Sequence, residues 1–217
     1  MTCSDTSIRK YYASRAPIYD RVYQIPERQE DLRYLEGWIP TVFKEKSVLE
    51  IACGTGYWTQ FIAPVAKEMT ATDVNEETLK FAKARPGVAN VRFRVEDAYG
   101  LSDSLGSFEA AFAGLWLSHV PKERLRAFFT NLHKHLNAGA VVLIIDNSKA
   151  QCRDLPISDT DVRGNTYQTR VLDNGTRHRV LKNFPSDKEL NEVIEGIGVQ
   201  AIFRELEHFW IFQYETV

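Results

Sequence analysis

The stretch Val48-Leu49-Glu50-Ile51-Ala52-Cys53-Gly54-Thr55-Gly56-Tyr57-Trp58 decides the fold. A short apolar run bounded by a turn signal reads as a buried strand, and Ser47 to Ala52 supplies one. It carries an acidic residue near its end and runs into Gly-x-Gly. The glycines permit a tight turn and let a ligand lie directly against backbone. A turn and then a helix fill Gly54 to Val65.

Outward from this unit, strands and helices alternate. Met69 to Asp73 reads as a second strand, and Asn75 to Ala84 as a helix with Asn75 in position to cap it. Val91 to Val95 is a third strand, Phe108 to Leu117 a fourth, and Lys122 to Leu136 an amphipathic helix introduced by Pro121. Ala140 to Asp146 is a fifth strand, almost wholly apolar, as central parallel strands covered on both faces are. This rhythm predicts an α/β fold with helices on both faces of a parallel sheet.

Two segments depart from the rhythm. Residues 5–39 read as helical, with aromatic and aliphatic positions broken at Pro17 and Pro26. Thr166 to Leu172 and Thr176 to Phe184 alternate around Asp173-Asn174-Gly175, a strong hairpin signal. A helix over Asp187 to Ile197 and strands over Val199 to Leu206 and His208 to Tyr214 complete the chain. The hairpin is thus inserted near the carboxyl ends of the strands, where open α/β sheets bind ligands.

At 217 residues and roughly 150 per domain, one domain with additions is expected. A composition 44% apolar and 26% charged excludes disorder. Net charge −2 gives no electrostatic footprint for nucleic acid or an anionic membrane. The longest aliphatic stretch, Ala140 to Ile145, is too short to span a bilayer. Cys3, Cys53 and Cys152 form no C-x-x-C, which fits reduced thiols in the cytoplasm. His133 and His135 are wrongly spaced for a metal pair on a helix, so no metal is expected.

The first unit admits two ligands. A dinucleotide site wants G-x-G-x-x-G with a pyrophosphate at the helix N-terminus, but Thr59 stands at the third glycine position. Glu50 would also set negative charge beside the phosphates. A ligand carrying a sulfonium and an α-amino group suits an acidic strand end better. Asp73 ends the second strand, 17 residues after Gly56, where a carboxylate can accept from both ribose hydroxyls. Glu96-Asp97-Ala98 follows the third strand, placed for an adenine edge.

Glu50-Ile51-Ala52-Cys53-Gly54-Thr55-Gly56, Asp73 and Asp97-Ala98, in this order, resemble the class I S-adenosylmethionine-dependent methyltransferases over about residues 45–147. A likeness over more of the chain carries Tyr11-Tyr12, Arg15-Ala16, Tyr19-Asp20, Trp116-Leu117-Ser118-His119-Val120-Pro121, Arg170, Arg179 and Lys182. These are similar to phosphonate O-methyltransferases of the kind found in dehydrophos biosynthesis. The resemblance implies a Rossmann-like fold with a mostly parallel seven-stranded sheet. It also implies an N-terminal helical lid over residues 1–40 and a methyltransferase domain over 41–217, with the hairpin at about 165–184.

Carried over by position, Glu50, Ala52, Gly54 and Gly56 would hold the methionine part of S-adenosylmethionine, with Trp58 beside them. Asp73 would bind the ribose, Val74 would flank the adenine, and Asp97 and Ala98 would meet its edge. Leu115 and Trp116 would line the cofactor, and Tyr11 and Tyr19 would close over it. Tyr12, Tyr23, His119, Arg170 and Lys182 would face the acceptor, with His119 as base or orienting group. Arg170 and Lys182 flank the hairpin turn at positions that could pair across its strands, suiting an anionic acceptor.

The expected activity is therefore methyl transfer to an oxygen of a small anionic metabolite, a phosphonate or carboxylate, by a monomer or homodimer. A small-amine N-methyltransferase, a phenol O-methyltransferase and a non-catalytic cofactor-binding module remain open alternatives. Base methylation is disfavoured, because Gly114-Leu115-Trp116-Leu117 stands where an Asn/Asp-Pro-Pro-aromatic run is required, and Cys152 follows Gln151 rather than proline.

Overall fold

The structure, a computed structural model, describes residues 11–12, 15–172 and 175–217. Seven strands form one sheet in the order β3-β2-β1-β4-β5-β10-β9. Their spans are β1 Ser47–Ile51, β2 Glu68–Asp73, β3 Val91–Val95, β4 Phe108–Gly114, β5 Leu136–Asn147, β9 Gly198–Glu205 and β10 Phe209–Thr216. All pairs from β3 through β5 are parallel, and β10 runs antiparallel to both β5 and β9. A separate small sheet, β6 Asp159–Thr160, β7 Thr166–Val171 and β8 Arg177–Leu181, contains the expected hairpin.

Strand β1 is buried along its whole length, and alternate side chains feed two cores. Leu49 and Ile51 join Phe128, Phe129 and Leu132 of α4 (Leu125–His133) and Leu190 of α5 (Asp187–Ile194) on one face. Val48 joins Leu32, Leu35, Ile39 and Phe43 of α1 (Gln29–Phe43) on the other. Two further helices are α2 Thr59–Ile62 and α3 Glu76–Lys83. The chain leaves β1 toward β2 and β3 on one side and returns to β4 on the other. That reversal opens a crevice at the carboxyl ends of β1 and β4.

Several boundaries differ from the sequence expectation. Helix α2 has only four residues, because Pro64 follows it closely. Strand β4 stops at Gly114, and Leu115 turns into the left-handed region at φ 58°. A 3-10 turn at Leu117–His119 replaces the predicted strand end. Helix α4 is preceded by a 3-10 turn and ends at His133, while β5 starts already at Leu136. Asn75 holds the N-cap position of α3, but its side chain makes no cap bond. From Ala16 the chain runs as a 3-10 helix, Ala16–Tyr23, followed by a second at Pro26–Arg28 and then α1, which continues through Pro40. Lys182 does not pair with Arg170 across the hairpin: Arg170 sits opposite His178, and the Lys182 N–H donates to the Thr166 carbonyl. The turn residues Asp173 and Asn174 lie outside the described residues.

Candidate active site

Ala52 and Leu115 directly follow the neighbouring strands β1 and β4, and both adopt positive φ, 52° and 58°. Such backbone costs roughly 1–3 kcal/mol per residue and concentrates at functional sites. Past Ala52, Gly54 and Gly56 also turn left-handed. Gly56 has a second reason to lack a side chain: a Cβ there would lie 2.8 Å from Ala82 Cα of α3. The loop after β1 is thus folded tightly against α3.

Two carboxyl groups face this loop from inside the fold. Glu50 is 1% exposed and accepts the Thr59 hydroxyl at 2.6 Å, with no cation among the described residues acting on it. Burial pushes its pKa up to about 8, with the Asp73 charge adding to the rise. Asp73 Oδ2 accepts the Gly54 N–H at 3.0 Å and Oδ1 accepts the Asn75 N–H at 2.8 Å. Its pKa is also raised by burial. Val74 follows at the mouth of β2. Asp97 accepts the Tyr99 N–H at 3.0 Å in the turn after β3, beside the half-buried Ala98. This donor-poor, acid-rich wall repels a pyrophosphate and suits a cationic sulfonium nucleoside. Glu50, Asp73 and the loop backbone therefore fit S-adenosylmethionine.

Across the crevice the chemistry reverses. Arg15, Arg28, Arg170 and Lys182 line one small pocket together with Tyr12, Tyr19 and His119. Val22, Leu115, Asn147 and Gln151 complete its wall. Lys182 is buried against Asp146, with Nζ donating to Oδ1 at 2.8 Å and to Ser118 Oγ at 2.7 Å. Among the described residues the three guanidinium groups hydrogen-bond to neutral acceptors, while the Asp154 charge also acts on Arg28. Arg15 donates to the Tyr11 hydroxyl at 2.8 Å, Arg28 to Asn147 Oδ1 at 3.3 Å, and Arg170 to Gln168 Oε1 at 2.6 Å. Arg170 Nε finds no hydrogen-bond partner among the described residues, an unanswered donor in a buried place.

His119 Nδ1 lies 2.6 Å from the Leu181 carbonyl, which can only accept, so Nδ1 carries the proton. Nε2 is then bare and takes the Tyr12 hydroxyl at 2.7 Å. Burial, followed by the Lys182 charge, pushes the imidazole pKa down to about 3. This ring stays neutral and is a feeble base.

The predicted residues divide between these two walls and the core. Tyr12, Tyr19, His119, Arg170 and Lys182 meet at the pocket. Tyr11 is buried edge-on to Tyr12. Tyr23 stacks flat on Tyr57 and packs with Trp58 in the core beneath the crevice. Trp58 leaves no space for a side chain at Gly114, where a Cβ would stand 2.7 Å from the indole. Trp116 packs on Phe128 at 4.8 Å between ring centres. The sequence reading missed Arg28, Asp146, Asn147 and Gln151. Asp146 and Asn147 were accessible to it, since they end β5 and open sheets bind ligands at strand carboxyl ends. Arg28 and Gln151 carry no local signal.

Residues 48–139 match the family described as methyltransferase domain. Together with the strand order and crevice above, this match supports a class I S-adenosylmethionine-dependent methyltransferase. It resembles DhpI. A DhpI–SAM–HEP complex superposes with TM-score 0.82 at 27% identity, covering 99% of both chains, and a DhpI–SAH complex with TM-score 0.80. The ubiquinone biosynthesis O-methyltransferase of Xanthomonas axonopodis pv. citri is 28% identical over 70% of this chain and 62% of its own. The malonyl-[acyl-carrier protein] O-methyltransferase of Bacillus cereus is 25% identical over 64% of this chain and 51% of its own. The chain thus spans between half and two thirds of these curated relatives. No helix among the described residues is long and apolar enough to cross a membrane.

Proposed function

We propose that the protein transfers a methyl group from S-adenosylmethionine to an already ionised oxygen of a small anionic metabolite, a phosphonate or a carboxylate. When bound, the cofactor supplies an electrophilic methyl on a sulfonium. Glu50 and the Ala52–Gly56 backbone hold its methionine end, with Leu115 on the facing strand. Asp73 grips the ribose, and Val74, Asp97 and Ala98 receive the adenine. Within residues 1–40, the segment ahead of α1 acts as a lid, bringing Tyr12, Arg15 and Tyr19 over the site, while α1 belongs with residues 41–217 to the domain beneath it. The reaction is taken to be cytoplasmic, as the uncrosslinked thiols suggest.

The single observation that carries the acceptor class is a pocket lined by three guanidinium groups, beside the ion-paired Lys182, around a suppressed base. An alcohol or phenol must lose a proton before attack, and His119 is too weak a base to take it. An amine would bring a further positive charge among guanidinium groups. A carboxylate or phosphonate needs only alignment, which Arg28 and Arg170 can provide through charged hydrogen bonds. His119 then acts as an orienting group that fixes the Tyr12 hydroxyl. The likeness to two O-methyltransferases supports oxygen as the accepting atom.

The test is incubation with methyl-labelled cofactor and a panel of phosphonates, carboxylic acids, phenols and amines, read by mass spectrometry. Methyl esters of the anionic members are expected. Label confined to amines or phenols overturns the acceptor class, and no transfer to any member of a broad panel favours a binding module.

A further inference from the structure

A three-residue clasp ties the N-terminal segment to the glycine loop, and methyl transfer as proposed gives it no role. Asp20 lies in the 3-10 helix Ala16–Tyr23. Its Oδ1 accepts the Thr55 hydroxyl at 2.7 Å, and its Oδ2 pairs with the Arg85 guanidinium. Arg85, just past α3, closes the ring by donating from Nε to the Thr55 carbonyl at 2.9 Å. Three segments distant in sequence therefore meet on Thr55, which is buried between two left-handed glycines. Tyr19, adjacent to Asp20, lines the acceptor pocket. Three residues further on, Tyr23 stacks on Tyr57 of the same loop, with ring centres 3.5 Å apart.

We propose that Asp20 is a positioning residue: through Thr55 and Arg85 it seats the lid tyrosines on the glycine loop and sets how long the nucleoside cofactor stays bound. This rests on the cofactor assignment above and goes beyond it. The loop that would hold the methionine end is the one gripped from outside by Asp20. A cofactor can leave only if the lid segment lifts, and lifting it breaks the clasp. The loop also loses its outer support at that moment, so lid opening and cofactor release are one event. A partly exposed ion pair contributes little to global stability. Its role is therefore visible in exchange rate rather than in the melting of the free protein.

The experiment is stopped-flow displacement of S-adenosylhomocysteine from the full chain. Asp20→Ala and Arg85→Met should each speed dissociation by on the order of tenfold, as loss of a charged hydrogen bond allows. Asp20→Asn, which keeps an acceptor for Thr55, should do so less. The double variant should be no faster than the faster single, because both remove one clasp. The thermal midpoint of the ligand-free variants should match wild type. If Asp20→Ala melts earlier, the Asp20→Asn rate decides in its place. Wild-type dissociation rates in the variants, or acceleration in only one of the two partners, overturn the clasp. Failure of the wild-type protein to bind S-adenosylhomocysteine overturns the cofactor assignment and the clasp with it.

Discussion

Lys182 Nζ stands 2.8 Å from Asp146 Oδ1, and neither side chain reaches solvent. Asp146 also accepts the N–H groups of Ser118 at 2.9 Å and Asn147 at 2.7 Å. Burial opposes its charge, but the Lys182 ammonium and the Ser118 N–H hold its pKa below the ordinary carboxylate value. Removing one partner of such a pair strands a buried charge. Lys182→Met should therefore lower the unfolding free energy by about 3–5 kcal/mol, and Asp146→Asn in that background should recover part of it. Urea denaturation measures both. A Lys182→Met protein as stable as wild type would show that the pair contributes nothing.

Arg170 separates recognition from folding more cleanly, because its partner Gln168 is neutral. Arg170→Ala should raise the KM of an anionic acceptor while leaving the cofactor KM near wild type. The expected loss in kcat/KM is about 1.5–3 kcal/mol, that of one charged hydrogen bond. Steady-state kinetics with each substrate varied in turn checks this. An acceptor KM unmoved in an active variant would remove Arg170 from the acceptor site.

Asp73 ends β2 and supports the glycine loop through Gly54. Asp73→Ala should weaken S-adenosylhomocysteine by about 1.5–3 kcal/mol. Calorimetric titration reads the change directly, and unchanged affinity would rule Asp73 out as the ribose ligand.

Glu50 predicts a pH dependence. Its pKa in the free protein is raised to about 8, so near neutral pH it is protonated. A cationic ligand beside it favours the carboxylate, so cofactor uptake should release a proton between the ordinary carboxylate range and pH 8. Affinity should then rise with pH across this window and level off above it. The same raised pKa costs folding stability as pH rises through that window, since the unfolded chain gives up the proton first. Titration calorimetry in buffers of different ionisation enthalpy counts the proton, and Glu50→Gln should abolish its release. Equal heats in all buffers would contradict the assignment.

The central strands were legible because burial on both faces leaves β1 and β5 almost wholly apolar, and Asp73 was legible because it ends such a run. The early stop of β4 was not. Leu115 carries a shape no leucine favours, imposed by tertiary contacts such as the bond from its N–H to the Ile145 carbonyl. Strand β6 has two residues, too few for any periodicity. The acceptor pocket was half legible: the hairpin cations were visible, but Arg28 and Gln151 join them only when α1, β5 and the lid segment converge.

A crystal structure with S-adenosylhomocysteine tests the account most directly. It should place the ribose hydroxyls within hydrogen-bond distance of Asp73, the homocysteine amine toward Glu50 and the sulfur facing the pocket of Arg28, Arg170 and Lys182. A nucleoside bound anywhere else, or with its sulfur turned away from those cations, would contradict it.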